Sequence, residues 1–131
     1  MDVFKKIMEP IYREKTQDTP DVILDIENNK FYIGGRSLAE NPVEFYKPIV
    51  KWFEKYMEAP LDFTQLEFKL EYFNSTSARI IANILGKFET LHKSGHKIEI
   101  IWQHKITDKD ILESGMRFAE AFSIPFKYIP Y

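Results

Sequence analysis

From Gln65 to Tyr72 the chain alternates apolar and polar residues without a break, with Leu66, Phe68, Leu70 and Tyr72 on one face and Glu67, Lys69 and Glu71 on the other. A period of two marks a strand with one buried face. The pattern stops at Phe73-Asn74-Ser75-Thr76-Ser77 and gives way to a helical period, with Ile81, Ile84, Leu85, Phe88 and Leu91 on one side. Ser94-Gly95 ends that helix, as small residues at a C-terminus do. Lys97 to Trp102 then reads as a second strand, with Ile98, Ile100 and Trp102 alternating against Glu99 and Ile101. Strand, helix, strand in this order calls for parallel pairing through a right-handed crossover. Ile101 makes the second strand apolar on both faces near its end, as a central strand would be.

The flanks extend the same logic. Val22–Ile26 and Phe31–Ile33 are short apolar runs around Glu27-Asn28-Asn29-Lys30, which predicts a β-hairpin that stops at a Gly34-Gly35 turn. Asn41-Pro42-Val43-Glu44 is a helix start, with a capping Asn, Pro at the first helical position and Glu three residues after the cap. The helix carries Phe45, Ile49, Trp52, Phe53 and Tyr56 at core spacing, and Pro48 should kink it or delay its regular start. Thr107-Asp108-Lys109-Asp110 resembles a capping box that opens a third helix bearing Ile111, Met116, Phe118, Ala119 and Phe122. Pro125–Ile129 reads as a last edge strand. Residues 1–20 read as an extended or partly helical lead-in. The expected architecture is therefore α/β: one domain over residues 1–131, with a mixed, partly parallel sheet and helices packed on it.

Composition narrows the function. The 131 residues are 44% hydrophobic and 15% aromatic, enough for a core in one domain. Net charge is −2, with Lys and Arg scattered among the acids, so no basic stripe invites nucleic acid. The absence of cysteine removes disulfides, thiol catalysis and Cys-based metal sites together. Met1–Lys6 lacks the apolar run of a signal peptide. No stretch approaches the roughly 18 apolar residues of a spanning helix. A cytoplasmic protein without membrane insertion is expected.

Chemistry-bearing constellations are sparse. His92 and His96 straddle the Ser94-Gly95 helix breaker, so their rings need not share a face, and no metal site is expected. His104 follows a strand and reads as a loop residue. Asp108 and Asp110 sit where a helix start favours carboxylates for structural reasons alone. No nucleophile elbow, phosphate-binding loop or dinucleotide glycine pattern is present, so neither a catalytic residue nor a cofactor is expected. Tyr46, Phe126, Tyr128 and Tyr131 are candidates for a partner surface. The most informative segment is Asn74–Ser77, where three hydroxyls follow the best strand. One cap needs only one of them. Arg79 lies in the first helical turn, where a cation opposes the helix dipole unless an anion visits. A phosphate on Ser75 or Thr76 would meet free N–H groups and Arg79, with Asn74 beside it.

Several of these stretches resemble the SiaC-like regulatory phosphoproteins. Gly35-Arg36-Ser37-Leu38-Ala39-Glu40-Asn41, then Phe45-Tyr46 and Trp52, resembles the family's G-x-S-x-x-E-N stretch and following helix. Leu70–Ser77 resembles its L-x-Y-x-N-(T/S)-S-S segment, and Ile100-Ile101-Trp102, Asp108, Phe118-Ala119-Glu120 and Pro125-Phe126 continue the match across roughly residues 20–128. The resemblance implies a STAS-like domain related to anti-sigma-factor antagonists. It implies a non-enzymatic adaptor, phosphorylated in the strand-to-helix segment by a cognate Ser/Thr kinase and restored by a PP2C-type phosphatase. It further implies an output protein bound by the unphosphorylated form, by resemblance a GGDEF diguanylate cyclase acting in cyclic-di-GMP signalling and biofilm formation. Ser75 stands where the best-known system has Thr, and Thr76 follows one place later. Position favours Ser75 as acceptor among Ser75, Thr76 and Ser77. The alternatives are an anti-sigma-factor antagonist in a partner-switching pathway, or a small ligand-binding domain or enzyme using His104, Asp108 or Asp110.

Overall fold

The computed structural model describes residues 8–131; the part of the lead-in before Met8 lies outside them. Six strands run β1 (Ile11–Arg13), β2 (Asp21–Asp25), β3 (Lys30–Ser37), β4 (Phe63–Phe73), β5 (Lys97–His104) and β6 (Phe126–Pro130). They form one sheet in sequence order. β1, β2 and β3 pair antiparallel, whereas β3 to β6 pair parallel. Each parallel step is bridged by a helix: α1 (Pro42–Tyr56), α2 (Ser75–Lys93) and α3 (Lys109–Ala121).

Crossovers of one hand that always step in the same direction put every helix on the same face of the sheet. The burial pattern agrees. Val22, Leu24, Phe31, Ile33, Leu66, Phe68, Leu70, Ile98, Ile100 and Trp102 form one buried cluster with Tyr46, Ile49, Phe53, Ile81, Ile84, Phe88 and Ile111 from the helices. The opposite face carries no helix among the described residues and is mostly polar, although Ile101 on it is buried, as an apolar residue on the second face of the central strand β5 should be. There Lys30 pairs with Glu67 at 3.2 Å, and Gln65 donates to Glu99 at 2.7 Å. No helix among the described residues is long and apolar enough to cross a membrane.

The hairpin, the three helices and the parallel β4–β5 pair match the sequence reading. The differences have physical reasons. Part of the lead-in is strand, because Ile11–Arg13 finds β2 as a partner. β3 continues through Gly34-Gly35 instead of turning there. Gly34 leaves room for the Tyr32 ring folded over it, and Gly35 adopts φ 104°. At that point the β3–β4 register slips, from Gly35 opposite Leu70 to Arg36 opposite Tyr72, leaving Glu71 as an extra residue. Such a bulge inverts the alternation beyond it. Tyr72, which its parity assigns to the buried face, is 55% exposed. Phe73 instead packs edge-on to Trp102, with ring centroids 6.4 Å apart.

Pro48 does not interrupt α1. It is exposed and lies in the second turn, so water can serve the carbonyl that loses its partner. α3 is capped by Asp108, whose carboxylate accepts the Ile111 N–H at 3.0 Å, one residue later than the Thr107 box predicted. Met116, expected on the core face, is 49% exposed. Its place against the sheet is taken by Gly115, which lies on the Trp102 ring. α2 ends as its sequence predicts: Gly95 has φ 100°, and the Gly95 and His96 N–H groups bond the His92 and Leu91 carbonyls at 3.1 Å each.

Candidate functional site

The site sits where β3, β4, α1 and α2 meet at the carboxyl ends of the parallel strands. In an open α/β sheet this edge gathers the strand-to-helix connections. Asn74 closes β4 by donating its N–H to the Ser37 carbonyl at 3.2 Å. Its side chain caps α2 by accepting the Ser77 N–H at 2.8 Å. Ser75, Thr76 and Ser77 thereby become the first three helical residues.

Ser77 is fully buried. Its hydroxyl donates to the Ser37 carbonyl at 2.9 Å, and the Ser37 hydroxyl donates to Ser77 Oγ at 2.8 Å. Ser37 Oγ also lies 2.7 Å from Tyr46 Oη. A hydroxyl has one proton to give, and that of Ser37 is committed to Ser77. Tyr46 must therefore donate to Ser37. The result is a directional relay from α1 through β3 to α2, with every buried hydroxyl satisfied. Burial pushes the Tyr46 phenol up to about 12, against a smaller opposing effect of its bond to Ser37.

Two sequence expectations change here. Tyr46, placed among partner-surface candidates, is 1% exposed and belongs to this relay. The aromatic of that pair left half-exposed is Phe45. Ser77, named with Ser75 and Thr76 as a candidate acceptor, is locked inside. Both lie on the periodic buried faces of their helices, Tyr46 with Ile49, Phe53 and Tyr56, and Ser77 with Ile81, Ile84 and Phe88, so the helical period carried back one turn is the signal that finds them.

Ser75 is exposed and Thr76 half-buried, and neither hydroxyl has a hydrogen-bond partner among the described residues. Their backbone N–H groups are likewise unpaired there, as first-turn donors are unless a cap reaches them. The first turn of α2 contains no acidic residue. Arg79 is exposed one helical turn beyond Ser75, on the same side of the helix, where side chains approach to about 5–6 Å between Cβ atoms. Neither ion pair among the described residues involves it. An anion on Ser75 would thus meet the positive end of α2, free donors and a guanidinium.

The remaining candidates have structural tasks. His104, expected in a loop, is the last residue of β5 and is buried, its ring nitrogen 3.3 Å from the Lys105 carbonyl. Asp108 is a cap and Asp110 a first-turn carboxylate of α3. Among the described residues no group of three or more His, Asp and Glu is arranged to hold a metal ion. Phe126 and Tyr128 are half-buried with ring centroids 6.1 Å apart. Tyr131 is 40% exposed, and the Lys69 ammonium lies 4.6 Å from its ring centroid.

The family of SiaC regulatory phosphoproteins matches this chain over residues 13–131, a span that contains the whole site. The chain belongs to this family. It is 25% identical over 119 residues to an uncharacterized protein of Pseudomonas aeruginosa strain UCBPP-PA14, covering 91% of this chain and 94% of that one. The crystal structure of apo-SiaC from P. aeruginosa has the same fold, with a TM-score of 0.84 at 25% identity over 93% of this chain and 99% of that one. So has a chain in the crystal structure of the P. aeruginosa diguanylate cyclase SiaD in complex with its activator SiaC, with a TM-score of 0.86 at 24% identity over 92% and 99%. The mixed, partly parallel sheet with three helices is thus the SiaC fold.

Proposed function

We propose that this SiaC-family protein is a cytoplasmic, non-enzymatic signalling adaptor controlled by phosphorylation of Ser75. The unphosphorylated form binds and regulates an output protein, a GGDEF diguanylate cyclase, and so acts on cyclic-di-GMP synthesis and biofilm formation. A cognate Ser/Thr kinase adds the phosphate and a PP2C-type phosphatase removes it. The single observation that carries this reading is the unequal fate of the three hydroxyls. Ser77 is fixed by two hydrogen bonds inside the fold and Thr76 is partly covered, while Ser75 is exposed.

In the transfer step, Ser75 Oγ forms a bond to the γ-phosphorus of ATP, ADP leaves, and the hydroxyl proton is released. The product carries about −1.5 to −2 charges near neutral pH. Free N–H groups and Arg79 tolerate that charge within the domain. A partner packed on the start of α2 does not, since the dianion would have to shed its water. The SiaC–SiaD complex, formed by a relative of this fold, makes a diguanylate cyclase the partner to test first. Incubation with the kinase and ATP, followed by phosphopeptide mapping, should find one phosphate on Ser75. Ser75→Ala should hold cyclase binding on, and Ser75→Asp should weaken it partially. A phosphate on any residue outside 75–77, or cyclase affinity indifferent to modification, overturns the mechanism.

A further inference from the structure

Beside the phosphorylation segment, α1 and α2 leave an open groove of about 370 Å³. Its apolar lining comes from Val43, Val50 and Ile80. Val43 is 61% exposed, although a stable helix gains nothing from an apolar side chain there. Lys47 and Lys51 on the α1 wall and Arg79 on the α2 wall face only Glu54 among the lining residues. Three cations against one carboxylate make this patch positive on a chain whose net charge is −2. Neither ion pair among the described residues involves any of the three cations. Apolar floor, two parallel walls and a basic rim form the shape that receives a helix in a groove.

We infer that this groove is the docking site for an amphipathic helix of the partner whose apolar stripe is flanked by acidic residues. Apolar anchors at i, i+3, i+4 and i+7 enter between the helices, and the flanking carboxylates meet Lys47, Lys51 and Arg79. The groove also says how the switch acts, and that part rests on the adaptor reading above. Arg79 closes the groove one turn from Ser75. A phosphate on Ser75 takes Arg79 for itself and presents a dianion to the incoming acidic flank. The rim changes sign at one end without any movement of the fold.

The test uses two helix-stapled peptides of about 18 residues, five turns, with the same leucine stripe and either Glu or Lys flanks. Binding is read by fluorescence anisotropy and mapped by amide shift changes. The Glu peptide should bind at least about tenfold more tightly than the Lys peptide, with shifts confined to α1 and α2. The double variant Lys47→Glu/Lys51→Glu changes two exposed residues, leaves the fold intact and should reverse the preference. Ser75→Asp should weaken the Glu peptide a few-fold, and Lys127→Glu on the far edge strand should change nothing. No binding, equal binding of the two peptides, or shifts on the open sheet face overturns the proposal. So does a wild-type dimer that the double variant turns into monomer, because the groove then belongs to a second copy. Full-length cyclase separates the two readings. Cyclase binding that survives the double variant sinks the groove and spares the adaptor. Peptide binding without cyclase binding does the reverse.

Discussion

Two helices of this protein start directly after a central parallel strand or its short connection, and they start differently. α3 supplies its own negative charge, with Asp108 as cap and Asp110 in the first turn. It is also clamped to the sheet. Trp102 Nε1 donates to the Ile111 carbonyl at 2.9 Å, and Gly115 lies flat on the same indole. α2 has a neutral cap, Asn74, no acid in its first turn and a guanidinium one turn in. α1 sides with α3, carrying Glu44 in its first turn. Where a helix has only to be stable, its own carboxylates complement the dipole. At α2 that complement is absent, and an exposed hydroxyl stands in its place.

The sharpest way to break this comparison is to move one charge by two residues. Ser77→Asp puts a carboxylate into the buried relay with Ser37 and Tyr46, and should cost about 3–5 kcal/mol or prevent folding. Ser75→Asp places the same group at the open first turn and should leave stability unchanged or raise it by about 0.3–1 kcal/mol. Urea denaturation of both proteins decides the matter, and equal stabilities would erase the distinction between the two hydroxyls.

A pair of glycine substitutions comes next in size. At Gly115 an added Cβ would lie 2.5 Å from Cδ1 and Nε1 of Trp102, a buried ring with no room to retreat. Gly115→Ala should cost about 1–3 kcal/mol. At Gly86 of α2 the new Cβ would meet only Phe122, at 3.7 Å. Gly86→Ala should therefore stabilise by about 0.5–1 kcal/mol, from helix propensity and reduced unfolded-state entropy. Thermal melts of the two should move in opposite directions.

Alkaline titration probes the relay itself. The Tyr46 phenol is pushed up to about 12 by burial, above its unfolded value near 10. The unfolded state therefore releases this proton first as pH rises. The stability this phenol contributes is fully present below about pH 10 and is lost toward pH 12, by about 1.4 kcal/mol for each pH unit in between. Tyr46→Phe should remove part of that alkaline loss, with the remainder due to the other tyrosines whose values are raised, Tyr56, Tyr32, Tyr128 and Tyr131 by burial and Tyr12 by its bond to Asp25. At neutral pH the same substitution should cost about 1 kcal/mol for the lost bond to Ser37. A pH dependence identical to the parent's would contradict the relay.

The smallest effects concern the dipoles. Thr76→Glu should stabilise α2, and Asp110→Asn should destabilise α3, each by about 0.3–1 kcal/mol at low salt. Both effects should fade as salt is added. If Thr76→Glu brings no gain, the first turn of α2 is not short of negative charge.

The elements themselves were legible because each rests on a local signal. The alternation of Gln65–Leu70, the helical stripe of Ile81–Leu91, and the caps Asn41 and Gly95 all act within a turn or a strand of their own position. Asn74–Ser77 could be singled out for the same reason, as three hydroxyls at a strand-to-helix junction with a cation behind them. Thr107 against Asp108 was a one-residue error of the kind local signals make at helix ends.

What the sequence determined by itself is the order of strands and helices from β2 onward, the parallel crossover, and the strand-to-helix segment with three hydroxyls. Tertiary structure decided what each hydroxyl bonds. Ser75 and Ser77 have the same side chain two residues apart; the helical stripe carried back from Ile81 puts Ser77 on the buried face, but its partners there come from other elements. The β3–β4 register slip leaves Glu71 over and inverts the pattern beyond it, so Ser37 pairs with Phe73 just before the cap. Ser77 then points inward, within reach of Ser37 and, through it, Tyr46. Those contacts span 40 residues in one case and 9 in the other. A hydrogen bond between positions so far apart exists only once the sheet and both helices are assembled.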